Sequence, residues 1–308
     1  MLLRSSTIQP ADGGHHGPGC GPGMVRGKVM RRHVTDDPDL EYGLFVANRI
    51  KPENPIFIAV HGIHRGMLSQ ARQFAPLIDA VGGVLVAPLF PKRRFPDYQR
   101  LGRLGRGDRA DLALKRILAD VSHHLGLPAA ELVMFGYSGG GQFVHRFAMA
   151  NPRQVKRMAI AAPGWFTFPD QQQPFPRGIG ETAALPDVMF DPMRFLRIPT
   201  LVMVGENDVV RDANLRTGKK IGSQQGVNRL DRGRHWIAAM SAAASRFGVD
   251  TPFRFTTLPG CGHSFIECMK RGGMGRTVLD FLFPDGAGRH ASSTINAIFK
   301  ADDVVPNA

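Results

Sequence analysis

The sequence predicts an α/β protein with a doubly wound, mostly parallel sheet flanked by helices. Between about residues 25 and 284, short apolar runs alternate with longer amphipathic segments. This alternation is typical of parallel strands connected by helices. Runs such as PIFIAV at 55–60 are apolar at every position, which indicates strands buried on both faces. No internal repeat is evident, so we expect one domain over this range.

The first half of the chain holds four predicted strands, at 29–34, 42–50, 55–60 and 83–90. The DDPD segment at 36–39 is predicted to form the turn between the first two. A helix is predicted over 69–82, with Ser69 as its N-cap and Pro76 as an interruption. A second helix is predicted over 108–126, because its Leu, Ile and Val residues recur on one helical face.

The second half continues the alternation, with predicted strands at 131–136, 155–164, 199–205 and 253–260. Three helices are predicted in this half. The first ends at Asn151, the second spans 228–248, and the third spans 274–283 and closes the domain. Residues 165–198 are rich in Phe and Pro, depart from the pattern and are predicted to form a small cap. The Gly-, Pro- and His-rich residues 1–24 are expected to be a disordered leader, and 285–308 a C-terminal tail.

The composition is globular but strongly basic. The 308 residues carry a formal net charge of +13, and the pI is near 10.4. Such a charge raises nucleic acid, anionic membranes and acidic substrates as possible partners. Three cysteines do not suggest a disulfide framework, and no apolar run is long enough to span a membrane. No secretory signal pattern is evident, so we expect a cytoplasmic protein.

A possible nucleophile lies between a predicted strand and a predicted helix, in the segment Gly136-Tyr137-Ser138-Gly139-Gly140. This G-x-S-x-G pattern is weak alone, but its strand–turn–helix context is the one in which it forms a nucleophile elbow. The tight turn requires small neighbours at 136 and 140. It would expose the Ser138 hydroxyl at the helix N-terminus, where backbone N–H groups converge.

Three other predicted strands end in residues with complementary chemistry. His61-Gly62-Ile63 follows the strand at 55–60, and its backbone could aim an N–H group at an oxyanion. A loop containing Asp208 follows the strand at 199–205, and His263 follows the last strand. The chain order Ser138, Asp208, His263 is the order expected for a catalytic triad on this scaffold. Glu206 and Asp170 are the alternative acids.

With these motifs, the sequence resembles α/β-hydrolase-fold serine hydrolases over roughly residues 25–284, and more loosely the depolymerase and feruloyl-esterase-like branch. The resemblance implies hydrolysis of a small or medium carboxylic ester without a cofactor. The amides of Ile63 and Gly139 would form the oxyanion hole. One departure is the span of 55 residues between Asp208 and His263, which is longer than a minimal fold of this type needs.

Four further residues are candidate substrate contacts: His64, Arg65, Tyr137 and Trp165. The first two could equally be solvated loop residues, and Tyr137 could serve packing only. Phe-rich stretches such as 165–175 more often pack in a core than line a pocket. No metal site is expected, because His15, His16 and Cys20 lie in the predicted leader and no zinc-like spacing occurs elsewhere.

Nearly half of the excess charge lies in residues 92–116, which contain nine Lys and Arg residues and three Asp residues. Because this connection leaves the carboxyl end of a strand, Arg93 and Arg94 could attract an anionic substrate. A solvated basic loop is the alternative. Thioesterase, amidase, peptidase or acyltransferase chemistry would use the same triad. A catalytically idle binding scaffold and a nucleic-acid binder are the remaining hypotheses, although no nucleic-acid-reading motif is present.

Overall fold

A computed structural model describes residues 25–127 and 131–284, which build an eight-stranded sheet with helices on both faces. The strands are β1 (Met30–Val34), β2 (Asp37–Val46), β3 (Ile56–Val60), β4 (Val84–Pro88), β5 (Leu132–Tyr137), β6 (Val155–Ala161), β7 (Thr200–Gly205) and β8 (Phe253–Leu258). Their order is β1-β2-β4-β3-β5-β6-β7-β8. β2 is antiparallel to β1 and β4, and all other pairs are parallel. The predicted fold class is therefore confirmed.

The helices are α1 (Met67–Val81), α2 (Ala110–Leu125), α3 (Gly139–Ala150), α4 (Pro192–Phe195), α5 (Lys219–Gln225), α6 (Arg229–Arg246), α7 (Phe265–Lys270) and α8 (Met274–Leu282), with a 3₁₀ turn at Tyr98–Arg100. α1 and α8 cover one face of the sheet, and α2, α3 and α6 cover the other. The short helices α4, α5 and α7 were not predicted, because segments of four to seven residues show too little periodicity.

Two local predictions are misplaced along the chain. The turn between β1 and β2 lies at Thr35 and Asp36 and does not extend over the rest of DDPD, because β2 already begins at Asp37. Ser69 does not cap α1, which begins two residues earlier after Gly66, and the helix continues through Pro76. The buried apolar side of α1, including Phe74 and Ile78, packs on the sheet on both sides of the proline. This packing outweighs the lost helical hydrogen bond.

The segment 165–198 is mostly irregular, apart from α4. Most of its buried apolar side chains join the core between the sheet and helices α3 and α6, namely Phe166, Phe175, Ile179, Leu185, Phe195, Leu196 and Ile198. Phe166 stacks on Trp236 of α6, with ring centroids 4.9 Å apart. The packing interpretation therefore fits Phe166 and Phe175. The predicted leader 1–24 and tail 285–308 lie outside the described residues.

The sheet topology places a cleft at the carboxyl ends of the central strands. The chain runs from β3 to its neighbour β4, and then crosses to β5 on the opposite side of β3. Ligands bind open α/β sheets at such a reversal of strand order. Among the residues described, no helix is both long and apolar enough to cross a membrane.

Candidate active site

Ser138 sits in a strained turn between β5 and α3. Its φ of 53° and ψ of −112° lie in a region that non-glycine residues rarely adopt. The flanking glycines make the turn possible. A Cβ atom at Gly136 would lie 2.3 Å from the Gly140 carbonyl oxygen, and one at Gly140 would lie 2.0 Å from that of Val60. The tight packing predicted for positions 136 and 140 is thus present.

Ser138, His263 and Asp208 follow three different strands and are connected by hydrogen bonds. His263 Nε2 lies 3.2 Å from Ser138 Oγ. On the other side of the ring, His263 Nδ1 lies 2.7 Å from Asp208 Oδ2. With Nδ1 protonated, the imidazole donates to Asp208 and can accept the serine proton at Nε2.

The other two carboxylates considered for the acid are engaged elsewhere. Glu206 Oε2 accepts from the Gly260 amide at 3.0 Å. Asp170 Oδ1 accepts from the Gln172 amide at 2.9 Å within its own loop. Neither side chain contacts His263, so the geometry favours Asp208 for the acid position.

Sequence reasoning missed a second partner of Asp208. Arg229, the first residue of α6, donates from Nη1 to Asp208 Oδ1 at 3.0 Å and from Nη2 to Asp212 Oδ2 at 2.9 Å. The side chains of Arg229 and Asp208 are 1% and 2% exposed. The long span between Asp208 and His263 therefore carries the helix that holds the acid. The only feature of the sequence that pointed to this additional helix was the length of the span.

The backbones of Ile63 and Gly139, the residue after Ser138, lie close together. A Cβ atom at position 139 would lie 3.3 Å from the Ile63 amide nitrogen. Neither amide donates to a protein acceptor within the described ranges. Two free N–H groups beside a nucleophile are the arrangement an oxyanion hole requires.

Buried polar contacts hold the loop that carries Ile63. Tyr98 Oη donates to the His61 carbonyl oxygen at 3.0 Å. Arg65 donates from Nη1 to the Ile63 carbonyl and from Nε to the Phe90 carbonyl, both at 2.7 Å. The Phe90 amide donates to His61 Nε2, and burial lowers the pKa of this imidazole to about 4. His61 is therefore a neutral structural residue. Tyr98 lies in no sequence motif, so its contact with this loop could not be predicted.

A cavity of about 320 Å³ opens in front of Ser138. Three of the four candidate contact residues line it, namely His64, Arg65 and Tyr137, together with apolar Phe265 and Ile266. The ring of Tyr137 packs on that of His263, with centroids 5.4 Å apart. Burial raises the pKa of the Tyr137 phenol, so this group stays neutral.

Trp165 does not line this cavity and is 4% exposed. Its indole ring instead lies among arginine side chains, described below.

Five of the nine basic side chains in the connection at 92–116 form ion pairs with carboxylates. Arg94 bonds both Asp37 and Asp108, and these contacts raise the pKa of its guanidinium. Arg103 and Arg106 share Asp97, Arg109 pairs with Asp111 and Asp187, and Arg116 pairs with Asp36 and Asp37. Arg94 is thus used to hold the fold together, which argues against the substrate-attracting role predicted for it. Within the described residues, no group of His, Cys, Asp and Glu could hold a metal ion.

Comparison with known proteins shows the fold. Poly(aspartic acid) hydrolase-1 from Sphingomonas sp. KT-1 is 21% identical, with a TM-score of 0.70 over 84% of this chain and 100% of that one. LpqC, a poly(3-hydroxybutyrate) depolymerase from Bordetella parapertussis, is 22% identical, with a TM-score of 0.67 over 88% of this chain and 94% of that one. FphF, a fluorophosphonate-binding serine hydrolase from Staphylococcus aureus, is 12% identical, with a TM-score of 0.51 over 83% of this chain and 97% of that one. The chain thus has the α/β-hydrolase fold.

No protein-family model matches the sequence, and no curated protein does.

Proposed function

We propose that this protein is a serine hydrolase that cleaves a small or medium carboxylic ester through Ser138, His263 and Asp208. The hydrogen-bonded chain from Asp208 Oδ2 through the His263 ring to Ser138 Oγ carries the proposal. The free amides of Ile63 and Gly139 beside this chain support it. The proposed reaction needs no metal or organic cofactor, because each required group is a side chain or backbone amide.

In the proposed reaction, His263 Nε2 takes the Ser138 proton as Oγ attacks the ester carbonyl carbon. The oxyanion of the tetrahedral intermediate accepts from the amides of Ile63 and Gly139. Asp208 stabilises the imidazolium, which then protonates the departing alcohol. A water molecule, deprotonated by His263, attacks the carbonyl carbon of the acyl-enzyme. The bond to Ser138 Oγ then breaks, and His263 returns the proton to Oγ as the acid leaves. Every proton taken from a nucleophile is thus returned to a leaving group.

The cavity supports a compact, partly apolar substrate. Its volume of about 320 Å³ is near the lower end of the usual range for small-molecule sites. Phe265 and Ile266 supply apolar contacts, while His64 and Arg65 supply polar ones. Thioesters, amides and acyl transfer would engage the same groups, and are the alternatives to ester hydrolysis. We assign a small-molecule substrate to the protein in a cytoplasmic setting, with no nucleic-acid or membrane partner.

The test is covalent labelling and turnover of the full chain. We expect a fluorophosphonate probe to label Ser138, and p-nitrophenyl esters of short acids to be hydrolysed. In Ser138→Ala, labelling should vanish and kcat should fall by roughly 10⁶-fold. A folded wild-type protein that neither reacts with the probe nor cleaves any ester would contradict the proposal and favour the idle scaffold. Steeply salt-dependent DNA binding would instead favour the nucleic-acid hypothesis.

A matched set of an ester, a thioester and an amide with the same acyl group assigns the bond that is cleaved. Poly(3-hydroxybutyrate) and poly(aspartic acid), the polymers named for two structural neighbours, extend the set to polymeric substrates. We expect the ester to have the highest kcat/KM. A higher value for the amide would move the assignment to amidase or peptidase.

A further inference from the structure

Three arginine side chains surround the indole ring of Trp165. The guanidinium carbon lies 4.2 Å from the ring centroid for Arg146, 4.9 Å for Arg216 and 5.4 Å for Arg100. We call these three side chains the arginine cluster. They come from α3, from the loop between β7 and α5, and from the 3₁₀ turn. The fold thus brings three positive charges together from distant parts of the chain.

No carboxylate within the described residues pairs with a member of the arginine cluster. Asp97, the acid that acts on Arg100, instead forms ion pairs with Arg103 and Arg106. The arginine cluster differs in this respect from Arg94, which forms ion pairs with two carboxylates. Burial and mutual repulsion lower the pKa values of Arg146 and Arg100. Arg146 is buried, Arg100 is partly buried and Arg216 is exposed. Buried charges are normally paired, so burying Arg146 without a carboxylate partner costs folding free energy.

Arg146 is fully buried and incompletely hydrogen-bonded. Its Nε donates to Thr167 Oγ1 at 2.9 Å, and its Nη1 donates to the Gln99 carbonyl at 2.6 Å. The buried Nη2 has no partner within the described residues. Unsatisfied buried donors are rare and costly, most of all when they are charged. A carboxylate would satisfy this donor and offset one of the three positive charges.

Two segments of the chain place the arginine cluster near the nucleophile. Along α3, the Gln142 amide donates to the Ser138 carbonyl, and Gln142 in turn contacts Arg146 Nη1. Ser138 and Arg146 are eight residues apart, or about 12 Å along a helix axis. In the other direction, Asn214 lines the cavity and lies two residues before Arg216.

A fourth arginine holds the parts of the cluster in place. Arg232 of α6 donates from Nη1 to the Gly164 carbonyl, directly before Trp165. Its Nη2 donates to the Arg216 carbonyl at 2.9 Å. Its side chain is buried as well. The positions of Trp165 and Arg216 are thus fixed by the same residue, as expected for a built site.

We propose that the arginine cluster binds a carboxylate carried by the ester substrate, at a distance of up to about 12 Å from the scissile carbonyl. A guanidinium matches the planar geometry of a carboxylate better than any other side chain does. The substrate class is then an ester whose acyl part ends in a carboxylate. This inference rests on the proposed hydrolase function and specifies its substrate. It also assigns binding of the substrate's negative charge to the arginine cluster and not to Arg93 and Arg94.

The kinetic test uses p-nitrophenyl monoesters of linear dicarboxylic acids, from succinate to sebacate, beside methyl-capped esters of the same lengths. We expect the longer acid-bearing esters to have KM values about tenfold below those of their capped counterparts. Arg216→Gln should raise KM about tenfold for the acid-bearing esters and leave the capped esters unchanged. Raising the ionic strength should weaken only the acid-bearing series. Equal KM values for both series in the wild type would overturn the proposal.

Arg93→Gln is the matched control, because it removes the same formal charge from an exposed position of the basic connection. It should leave the ratio of KM values for the two series unchanged. If both variants reduced the preference equally, a general electrostatic field would explain it and the subsite would be rejected. If Arg216→Gln lowered only the thermal stability, the arginines would have a packing role alone, which also rejects it.

A binding measurement separates this inference from the hydrolase proposal. In the Ser138→Ala variant, sebacate should change the fluorescence of Trp165, with a Kd about tenfold weaker after Arg216→Gln. Trp165→Phe should abolish the signal, since the three guanidinium groups lie over the ring of Trp165 and, among the described residues, none lies over the other tryptophan, Trp236. Saturable binding without any ester turnover would retain the anion site and reject the hydrolase. Tighter binding of inorganic phosphate than of sebacate would overturn the carboxylate assignment.

Discussion

Arg229 binds the one carboxylate oxygen of Asp208 that His263 leaves free. The Arg229 Nη1–Asp208 Oδ1 distance is 3.0 Å, and the His263 Nδ1–Asp208 Oδ2 distance is 2.7 Å. The carboxylate is therefore clamped between two donors in a buried environment. Removing one partner of a buried ion pair leaves an uncompensated charge. Arg229 is a positioning residue, because it acts on the site only through Asp208.

Replacing Arg229 by Met should reduce kcat by about 100-fold with little change in KM, because a misplaced Asp208 no longer fixes the His263 ring. The free energy of unfolding should fall by about 3–5 kcal/mol, as for other broken buried pairs. Arg229→Lys keeps the charge, and we expect it to recover part of both losses. Kinetics on neutral esters and urea unfolding of both variants test this. A variant that loses stability and keeps full kcat would show that Arg229 supports the fold alone.

Replacing Gly139 by Ala should lower kcat by about 100-fold or more, because it displaces an oxyanion-hole amide. The new Cβ would lie 2.5 Å from Tyr98 Oη and 2.9 Å from Ile63 Cγ2. Adding Tyr98→Phe removes the closer contact, and should restore part of the activity. Steady-state kinetics on a p-nitrophenyl ester provide the measurement.

Gly222→Ala is the control for this change. Gly222 lies in helix α5, and a Cβ atom there would meet nothing within 4 Å. This variant should keep full kcat and gain up to about 1 kcal/mol of stability, since Ala favours helix over Gly. Activity of Gly139→Ala equal to that of Gly222→Ala would show that the amide of residue 139 does not bind the oxyanion.

The stability of the protein should fall as the pH falls from about 6.5 toward 4. Burial lowers the pKa of His61 to about 4, so the folded state keeps this ring neutral while the unfolded state takes up a proton. Its effect on stability is absent above pH 6.5 and reaches about 3 kcal/mol of destabilisation near pH 4. Burial also lowers the pKa of His145, which adds in the same direction.

Urea unfolding at a series of pH values measures this effect. His145→Gln should be less stable at neutral pH and should show a shallower loss of stability on acidification. An unfolding free energy that stays constant from pH 7 to pH 5 would contradict the assignment of both histidines as buried and neutral.

The thiols of Cys261 and Cys268 should resist modification in the folded protein. Both are buried, and burial is the main cause of their raised pKa values, which for Cys268 is about 12. Little reactive thiolate then exists at pH 8. In a Cys20→Ser variant, DTNB should label neither cysteine under native conditions and both in guanidinium chloride. Rapid native labelling would show that the loop carrying His263 opens readily.

The strands and the predicted triad residues could be predicted from the sequence because their signals are local. Apolar runs mark the buried strands β5 and β7, and Ser138 and Asp208 follow them within a few residues, whereas His263 follows β8, whose residues alternate and are mostly half-buried. A parallel sheet then brings these strand ends to one edge. The correct order of strands and helices is therefore almost sufficient to predict that these three residues meet.

The supporting residues could not be predicted, because their roles depend on how distant segments pack. Arg229 resembles any arginine at the start of a helix until α6 docks beside Asp208. Trp165 was predicted to contact substrate, and only the folded structure shows that Arg100 and Arg216 lie against its indole ring. Ser69 matched a capping pattern, but the apolar contacts of α1 moved the start of the helix. In each case tertiary packing outweighed the local preference.

In the proposed function, helix α6 would affect both the rate of the reaction and the choice of substrate. Arg229 binds Asp208, the proposed catalytic acid, and Arg232, three residues later, binds the backbone that carries Trp165 and Arg216. A rotation or shift of this one helix would disturb both. Selection for a differently charged substrate is therefore easier through Arg100 or Arg216, whose side chains can change without moving α6, than through the helix itself.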